Sequence, residues 1–412
     1  MKVLKKGLDN PERRQTIRLF LTCALVMCVV MGVSASFTGM WLTDDNPYRS
    51  YTLQACSWLE GRLDLGQDYP WLELAIVDGK YYVSFPPFPS MVLLPFAAVV
   101  GVNTPDHWIS LAFTLVGILY AIKLYRALTG NLNRAEEAVL FLFLGNGYLF
   151  ISMQGWVWYL AQSMAFCLSL MALYCAVIGQ GGWSLTYWAC AVGCRPMVIV
   201  YFPFLCMLIV HRWKECQGKW SELWKKVYCL LPALVIACVY MGLNQARFGS
   251  PFEFGHNYLP EFVRAEEGQF SLTYLEKNIG QMLRLPKTGG ENGAFIYDPY
   301  DCMAFWLIAP IWIEFFLAWI YGMCKKRTEW KFEVLALPFM LAAHGLIICS
   351  HRTLGGFQFG NRYVVDTLPF VFCGMLMFRP DKGTWAAGEK LLFALGFSIN
   401  LIGTVAAYNH WI

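Results

Sequence analysis

The stretch 17–37, IRLFLTCALVMCVVMGVSASF, decides what kind of molecule this is. It follows a segment carrying Lys2, Lys5, Lys6, Arg13 and Arg14, and after Arg18 it contains no charge. A helix rises about 1.5 Å per residue, so an apolar run of this length crosses a hydrocarbon core of about 30 Å. The apolar core of a signal peptide is shorter, about 7–15 residues, and further apolar runs follow, so 17–37 reads as a retained first span. Composition agrees. Of 412 residues, 57% are hydrophobic and only 15% charged, and the mean hydropathy is +0.45. A soluble domain carries about 25% charged residues, and no soluble fold of this length hides so much apolar surface. The net charge of +4 is too small to suggest a nucleic-acid partner.

Working outward, comparable runs fall at 106–128, 136–153, 158–179, 183–194, 197–211, 227–247, 302–323, 332–350, 363–378 and 385–409. The chain is therefore expected to be an all-α polytopic membrane protein of about 11 spans. It forms a single transmembrane domain over 1–412, without a separate soluble domain or an internal repeat. The runs 183–194 and 197–211 are each too short to span fully. Arg195-Pro196 separates them, so they are two half-depth helices or one kinked helix. With the N-terminus in the cytoplasm, 21 of the 32 Lys and Arg residues lie on the cytoplasmic side, in keeping with the positive-inside rule. The expected location is the cell (plasma) membrane. Two long segments, 38–105 and 248–301, then face outward and hold most of the acidic residues. Loops positioned by a rigid scaffold carry chemistry, so the functional residues are sought there.

In the first outer segment, Asn46 and Pro47 suit the N-cap and first position of a helix, and apolar residues recur at Tyr48, Tyr51, Ala55, Trp58 and Leu59. The spacing predicts an amphipathic helix lying in the membrane interface and ended by Gly61. Asp44 and Asp45 sit beside its positive end, where they either only favour the helix dipole or serve a function. Further on, Asp78-Gly79-Lys80-Tyr81-Tyr82 leads to Pro86-Pro87 and an apolar run, 90–102, which reads as an interfacial or re-entrant helix. Most of the 15 cysteines lie within apolar runs, where they act as small buried hydrophobes. No Cys-x-x-Cys or Cys/His spacing suggests a metal.

Taken in order, these features resemble the C-type (GT-C) superfamily of membrane glycosyltransferases. The features are an acid pair after the first span, an in-plane helix ending in Gly, and Gly-x-Tyr-Tyr…Pro-Pro opening an apolar helix. The resemblance is strongest to the branch related to protein O-mannosyltransferases and the aminoarabinose transferase of lipid A. Three later stretches agree: Gly193-Cys194-Arg195-Pro196, the run 244–258 (NQARFGSPFEFGHNY), and 355–363 (GGFQFGNRY). The resemblance implies a glycosyltransferase that moves a hexose or pentose from a polyprenyl-phosphate carrier to a lipid-linked, glycan or protein acceptor outside the membrane. It implies membrane lipids as partners and no cofactor beyond the lipid-linked donor. Asp44 then matches the superfamily's catalytic aspartate and Asp45 the acid after it. Arg362, Arg247 and His256 become candidates for carrier phosphate, with Tyr363 beside them. One position departs from the pattern. The aminoarabinose branch carries an acid-Lys pair before the Pro that opens the re-entrant helix, where this chain has Ser84-Phe85, and Lys80 is the candidate substitute.

Ordinary structural readings compete with these. Arg362 and Asp366, four apart, can pair across a helix turn. Arg247 can snorkel as an interfacial anchor. His256 can be a plain loop histidine, Arg195 either closes or lines a cavity, and Glu314 is a buried hydrogen-bonding group inside the bundle. The alternative functions are a membrane transporter and a non-catalytic lipid- or glycan-binding membrane protein. A transporter would show repeated halves and charges near the midplane, neither of which this sequence displays.

Overall fold

The computed structural model describes residues 11–216, 227–288, 295–296, 300, 302–324, 330–378 and 387–411. The N-terminus before Pro11, much of the basic loops 212–226, 325–331 and 379–390, and Asp298 and Asp301 lie outside these residues. Helix α1 (Pro11–Thr38) is followed by α2 (Ser50–Leu59), strands β1 (Leu74–Val77) and β2 (Lys80–Val83), and α3 (Phe88–Val100). Then come α4 (Asp106–Thr129), α5 (Ala135–Leu144), α6 (Tyr148–Ser152), α7 (Val157–Val177) and α8 (Gly181–Val192). A 3-10 stretch, Pro196–Tyr201, leads into α9 (Phe202–Glu215), and α10 spans Leu231–Phe248. The second outer segment holds α11 (Pro260–Val263) and α12 (Leu275–Leu283). The chain continues with α13 (Phe305–Ile308), α14 (Ile311–Cys324), α15 (Glu333–Ser350), α16 (Arg362–Val365), α17 (Leu368–Phe378) and α18 (Ala387–Tyr408).

Among the described residues, seven helical segments are long and apolar enough to cross a membrane, and the remaining expected spans are short or broken. The expected span 136–153 breaks at Gly145-Asn146-Gly147 into α5 and α6. The Asn146 side chain satisfies the freed backbone there, donating to the carbonyls of Phe141 and Leu142 and accepting from the Tyr148 amide. The expected span 302–323 breaks at Pro310, and Asn400 of α18 donates to the exposed Ile308 carbonyl at 2.7 Å. At Arg195-Pro196 the outcome is mixed. Helix α8 is only 12 residues long, but Pro196–Glu215 forms a 20-residue segment long enough to cross. Helix α7 is the axis of the bundle, 83% buried in its most apolar window, whereas α10 is 11% buried and faces outward.

The first outer segment departs from its expected form. Helix α2 begins at Ser50, not at Asn46-Pro47. Asn46 makes a local turn with the Tyr48 amide and uses its NH2 group on Asp106 and on the Gly155 carbonyl, which ties it to α4 instead of capping α2. Nor is α2 a simple amphipathic helix. Ser50, Thr52, Gln54 and Ser57 are buried beside Tyr51 and Ala55. Thr52 donates to Asp106 at 2.6 Å, and Ser90 of α3 donates to Gln54 at 2.8 Å. The helix is therefore largely embedded in protein, with Thr52 and the Gln54 carbonyl oxygen of its polar face finding partners there. Gly61, with φ +75°, follows its end as expected. Strands β1 and β2 form an antiparallel hairpin closed by Asp78-Gly79, both with positive φ, as a two-residue turn requires. The amide of Phe88, which opens α3, donates to the Gly193 carbonyl, so α3 abuts the end of α8.

Candidate functional site

A cavity of about 240 Å³ opens where the segments flanking the β-hairpin, the start of α7, the end of α8, the start of the 3-10 stretch, the segment 254–269 and the loop 351–363 meet. Its wall carries charged groups (Glu73, Arg195, Glu261, Arg362 and Asp366), two histidines (His256 and His351), and aromatic rings including Trp158, Phe85 and Tyr363. The Gly-rich loop before α16 brings Arg362 here. Gly355 has φ +121°, and a Cβ there would lie 3.0 Å from the Arg362 Nε, so only glycine permits both the turn and the approach. Two glutamines fix the backbone of Arg362. Gln358 accepts from its amide at 2.8 Å, and Gln162 of α7 donates to its carbonyl at 2.8 Å.

The same Gln162 donates to Asp366 at 3.0 Å, and the other Asp366 oxygen pairs with Arg195 Nε at 2.8 Å. The expected Arg362–Asp366 pair is therefore replaced by Arg195–Asp366. Arg195 reaches Asp366 because α8 stops short. A Cβ on Gly193 would overlap the Tyr240 ring, so glycine there lets α10 pack closely on the end of α8. Arg195 thus lines the cavity with its charge already matched. Arg362 is 4% exposed and faces the rings of Trp158, Tyr159 and Tyr363 at 5.7, 5.9 and 5.4 Å. Its Nε and Nη1 have no hydrogen-bond partner among the described residues. A guanidinium so placed is costly unless an anion completes it.

Across the cavity, Glu73 accepts from Trp158 Nε1 at 3.1 Å, and its backbone carbonyl accepts from Ser84 Oγ at 3.0 Å. Burial pushes its carboxyl above the usual carboxylate range and Glu261 adds to this, while the Trp158 hydrogen bond and the charge of Arg362 pull the other way. His256 contacts the Ser84 carbonyl through Nδ1 at 3.1 Å and sits among Phe85, Phe254 and Phe262. Burial pushes its imidazole down to about 4, so without an anion beside it the ring is neutral near pH 7. Burial also lowers His351, which meets Gln269 through Nε2 at 3.2 Å.

The sequence-derived candidates thus divide. Arg362, Tyr363 and His256 line the cavity, and Asp44, Asp45, Lys80 and Arg247 do not. Asp44 is exposed, with its Oδ2 accepting from the Trp41 amide at 2.6 Å, and Asp45 is exposed and pairs with Arg49. Lys80 projects from the hairpin opposite Val77 and is exposed. Arg247 is buried as a clip, donating to the carbonyl of Val83 and to the side chain of Asn244, so those donors are already used. Glu314 is buried within α14, away from the cavity. Sequence reasoning missed Glu73. Its signal was a single charge inside the apolar run Trp71-Leu72-Glu73-Leu74-Ala75-Ile76-Val77. Among the described residues, no group of three His, Cys, Asp or Glu side chains converges as a metal site would.

No family model and no curated protein matches the sequence. Among solved structures, the chain is similar to ArnT from Cupriavidus metallidurans bound to undecaprenyl phosphate. That likeness has a TM-score of 0.51 and 14% identity, and covers 95% of this chain and 76% of that one. A similarity to the Archaeoglobus fulgidus oligosaccharyltransferase in its apo form has a TM-score of 0.47 and 13% identity, covering 96% of this chain and 56% of that one. At such identities the likeness is one of fold. The expected bundle of many apolar helices is the fold observed, with a β-hairpin added in the first long connecting segment.

Proposed function

We propose that this protein is a glycosyltransferase that moves a sugar from a polyprenyl-phosphate carrier to an acceptor on the outer face of the cell membrane, with its N-terminus in the cytoplasm. The observation that carries this reading is Arg362, a buried guanidinium that lines the cavity and whose Nε and Nη1 have no hydrogen-bond partner among the described residues. Phosphate is the anion whose geometry a guanidinium fork matches, and an amphiphilic phosphate is delivered where headgroup and hydrocarbon meet. The fold likeness to a protein solved with undecaprenyl phosphate supports the same choice. In this reading the sugar lies among Trp158, Phe85 and Tyr363, with its anomeric carbon between Arg362 and the acceptor. The acceptor hydroxyl or amine attacks that carbon and the bond to the phosphate oxygen breaks. The carrier phosphate, a good leaving group, departs with its new negative charge against Arg362. The acceptor is a lipid-linked, glycan or protein group.

The test is binding to the purified protein in nanodiscs. Undecaprenyl phosphate should raise the unfolding temperature in a concentration-dependent way, and undecaprenol, which lacks the phosphate, should not. Equal effects from both lipids would refute the reading.

A further inference from the structure

We propose that Glu73, and neither Asp44 nor Asp45, is the general base that deprotonates the acceptor; this rests on the transferase reading above. Three observations carry it. Glu73 lines the same cavity as Arg362, whereas Asp44 and Asp45 do not. Its carboxylate is held in place: Oε2 accepts from Trp158 Nε1, and the Ser84 hydroxyl bonds the Glu73 carbonyl and anchors the backbone. The two aspartates have local tasks, Asp44 on the Trp41 amide and Asp45 with Arg49.

The chemistry balances. The acceptor O–H or N–H gives its proton to the Glu73 carboxylate as its lone pair forms the bond to the anomeric carbon. The electrons of the breaking carbon–oxygen bond leave with the carrier phosphate, opposite the Arg362 guanidinium. A base and a cation lining one cavity, both beside Trp158, suit this displacement, because charge leaves the nucleophile and accumulates at the phosphate. The elevated proton affinity that burial gives Glu73 brings it closer to the working pH, where a base is most effective. After transfer the proton leaves to solvent through the outer loop.

The experiment combines complementation with binding. Mass spectrometry of envelope glycans identifies the product lost when the gene is deleted. Full-length variants are then expressed in the deletion strain and tested for restoring it, and each purified variant is titrated with undecaprenyl phosphate. Glu73→Gln keeps the bond from Trp158 and should bind undecaprenyl phosphate like wild type while its rate of product formation falls by about 10² or more. Glu73→Asp should retain partial transfer, with a shifted acid limb of the pH profile. Asp44→Asn and Asp45→Asn should restore the product. Trp158→Phe removes the indole donor that holds Glu73, so its rate should fall while the acid limb of its pH profile, set by Glu73, remains. Wild-type product formation by Glu73→Gln, or an acid limb that persists in Glu73→Gln, would overturn the assignment and leave the transferase reading intact. If no glycan is lost on deletion and wild type does not bind undecaprenyl phosphate, the transferase reading itself falls, and the assignment with it.

Discussion

Replacing Arg362 by alanine removes two guanidinium nitrogens that have no hydrogen-bond partner among the described residues. A hydrogen bond to a charged group contributes about 1.5–3 kcal/mol, so two to a carrier phosphate contribute about 3–6 kcal/mol. Water entering the vacated space recovers part of this, and we take about 3 kcal/mol as the net loss, or roughly 10²-fold in Kd at 1.4 kcal/mol per tenfold. Arg362→Lys keeps the charge but not the planar fork, and should weaken binding by about tenfold. Stability should move the other way. A buried cation without a partner is a liability in the empty protein, so Arg362→Ala should unfold at the same temperature as wild type or higher. Isothermal titration of undecaprenyl phosphate into nanodisc-embedded protein, paired with thermal unfolding, reads both quantities. If both variants bind as wild type does, or if Arg362→Ala lowers the unfolding temperature while leaving affinity intact, Arg362 is structural.

Asp366→Asn leaves Arg195 facing a neutral side chain at a largely buried site, and should cost about 3–5 kcal/mol of stability, read as a drop in unfolding temperature. His256 is pushed from 6.5 down to about 4, so the folded state binds fewer protons than the unfolded chain between those values. Its contribution should be fully present above about pH 6.5 and be lost as the pH falls towards 4, and His256→Gln should flatten the fall in unfolding temperature over that window. In topology labelling with a membrane-impermeant thiol reagent, single cysteines at Gln67 and Glu266 should react in intact cells and one at Lys214 should not; the reverse would invert the orientation.

The bundle was legible because each span leaves a compositional trace. α1, α4, α7, α15 and α18 fall within a few residues of their expected ends, apart from the helical extension before Ile17. The break at Pro310 was not legible, since Asn400, which satisfies the opened backbone, lies far away in sequence, whereas the break at Gly145-Asn146-Gly147 carried a local signal that the apolar run around it masked. The site was half legible. Arg362 and Tyr363 stood out because a Gly-rich loop before a span announces close backbone approach. Asp44 and Asp45 stood out by motif alone. Their position after α1 told nothing of which way Asn46 would turn, and Asn46 commits to Asp106 and Gly155 and ties the adjoining loop to α4. Glu73 was hidden by its neighbours, because a single acid in an apolar strand reads as a surface position until the partner strand and Trp158 are placed. The Arg195–Asp366 pair was hidden likewise, its members being 171 residues apart.

The central claim is that a carrier-linked sugar is consumed at this cavity, and it is tested most directly by mass spectrometry of polyprenyl-phosphate sugars and envelope glycans in cells with and without the protein. One polyprenyl-phosphate sugar should accumulate in the deletion strain while one surface glycan loses that same residue, and both changes should reverse with the wild-type gene but not with Arg362→Ala. Identical lipid-linked and surface glycan profiles in the two strains would contradict it.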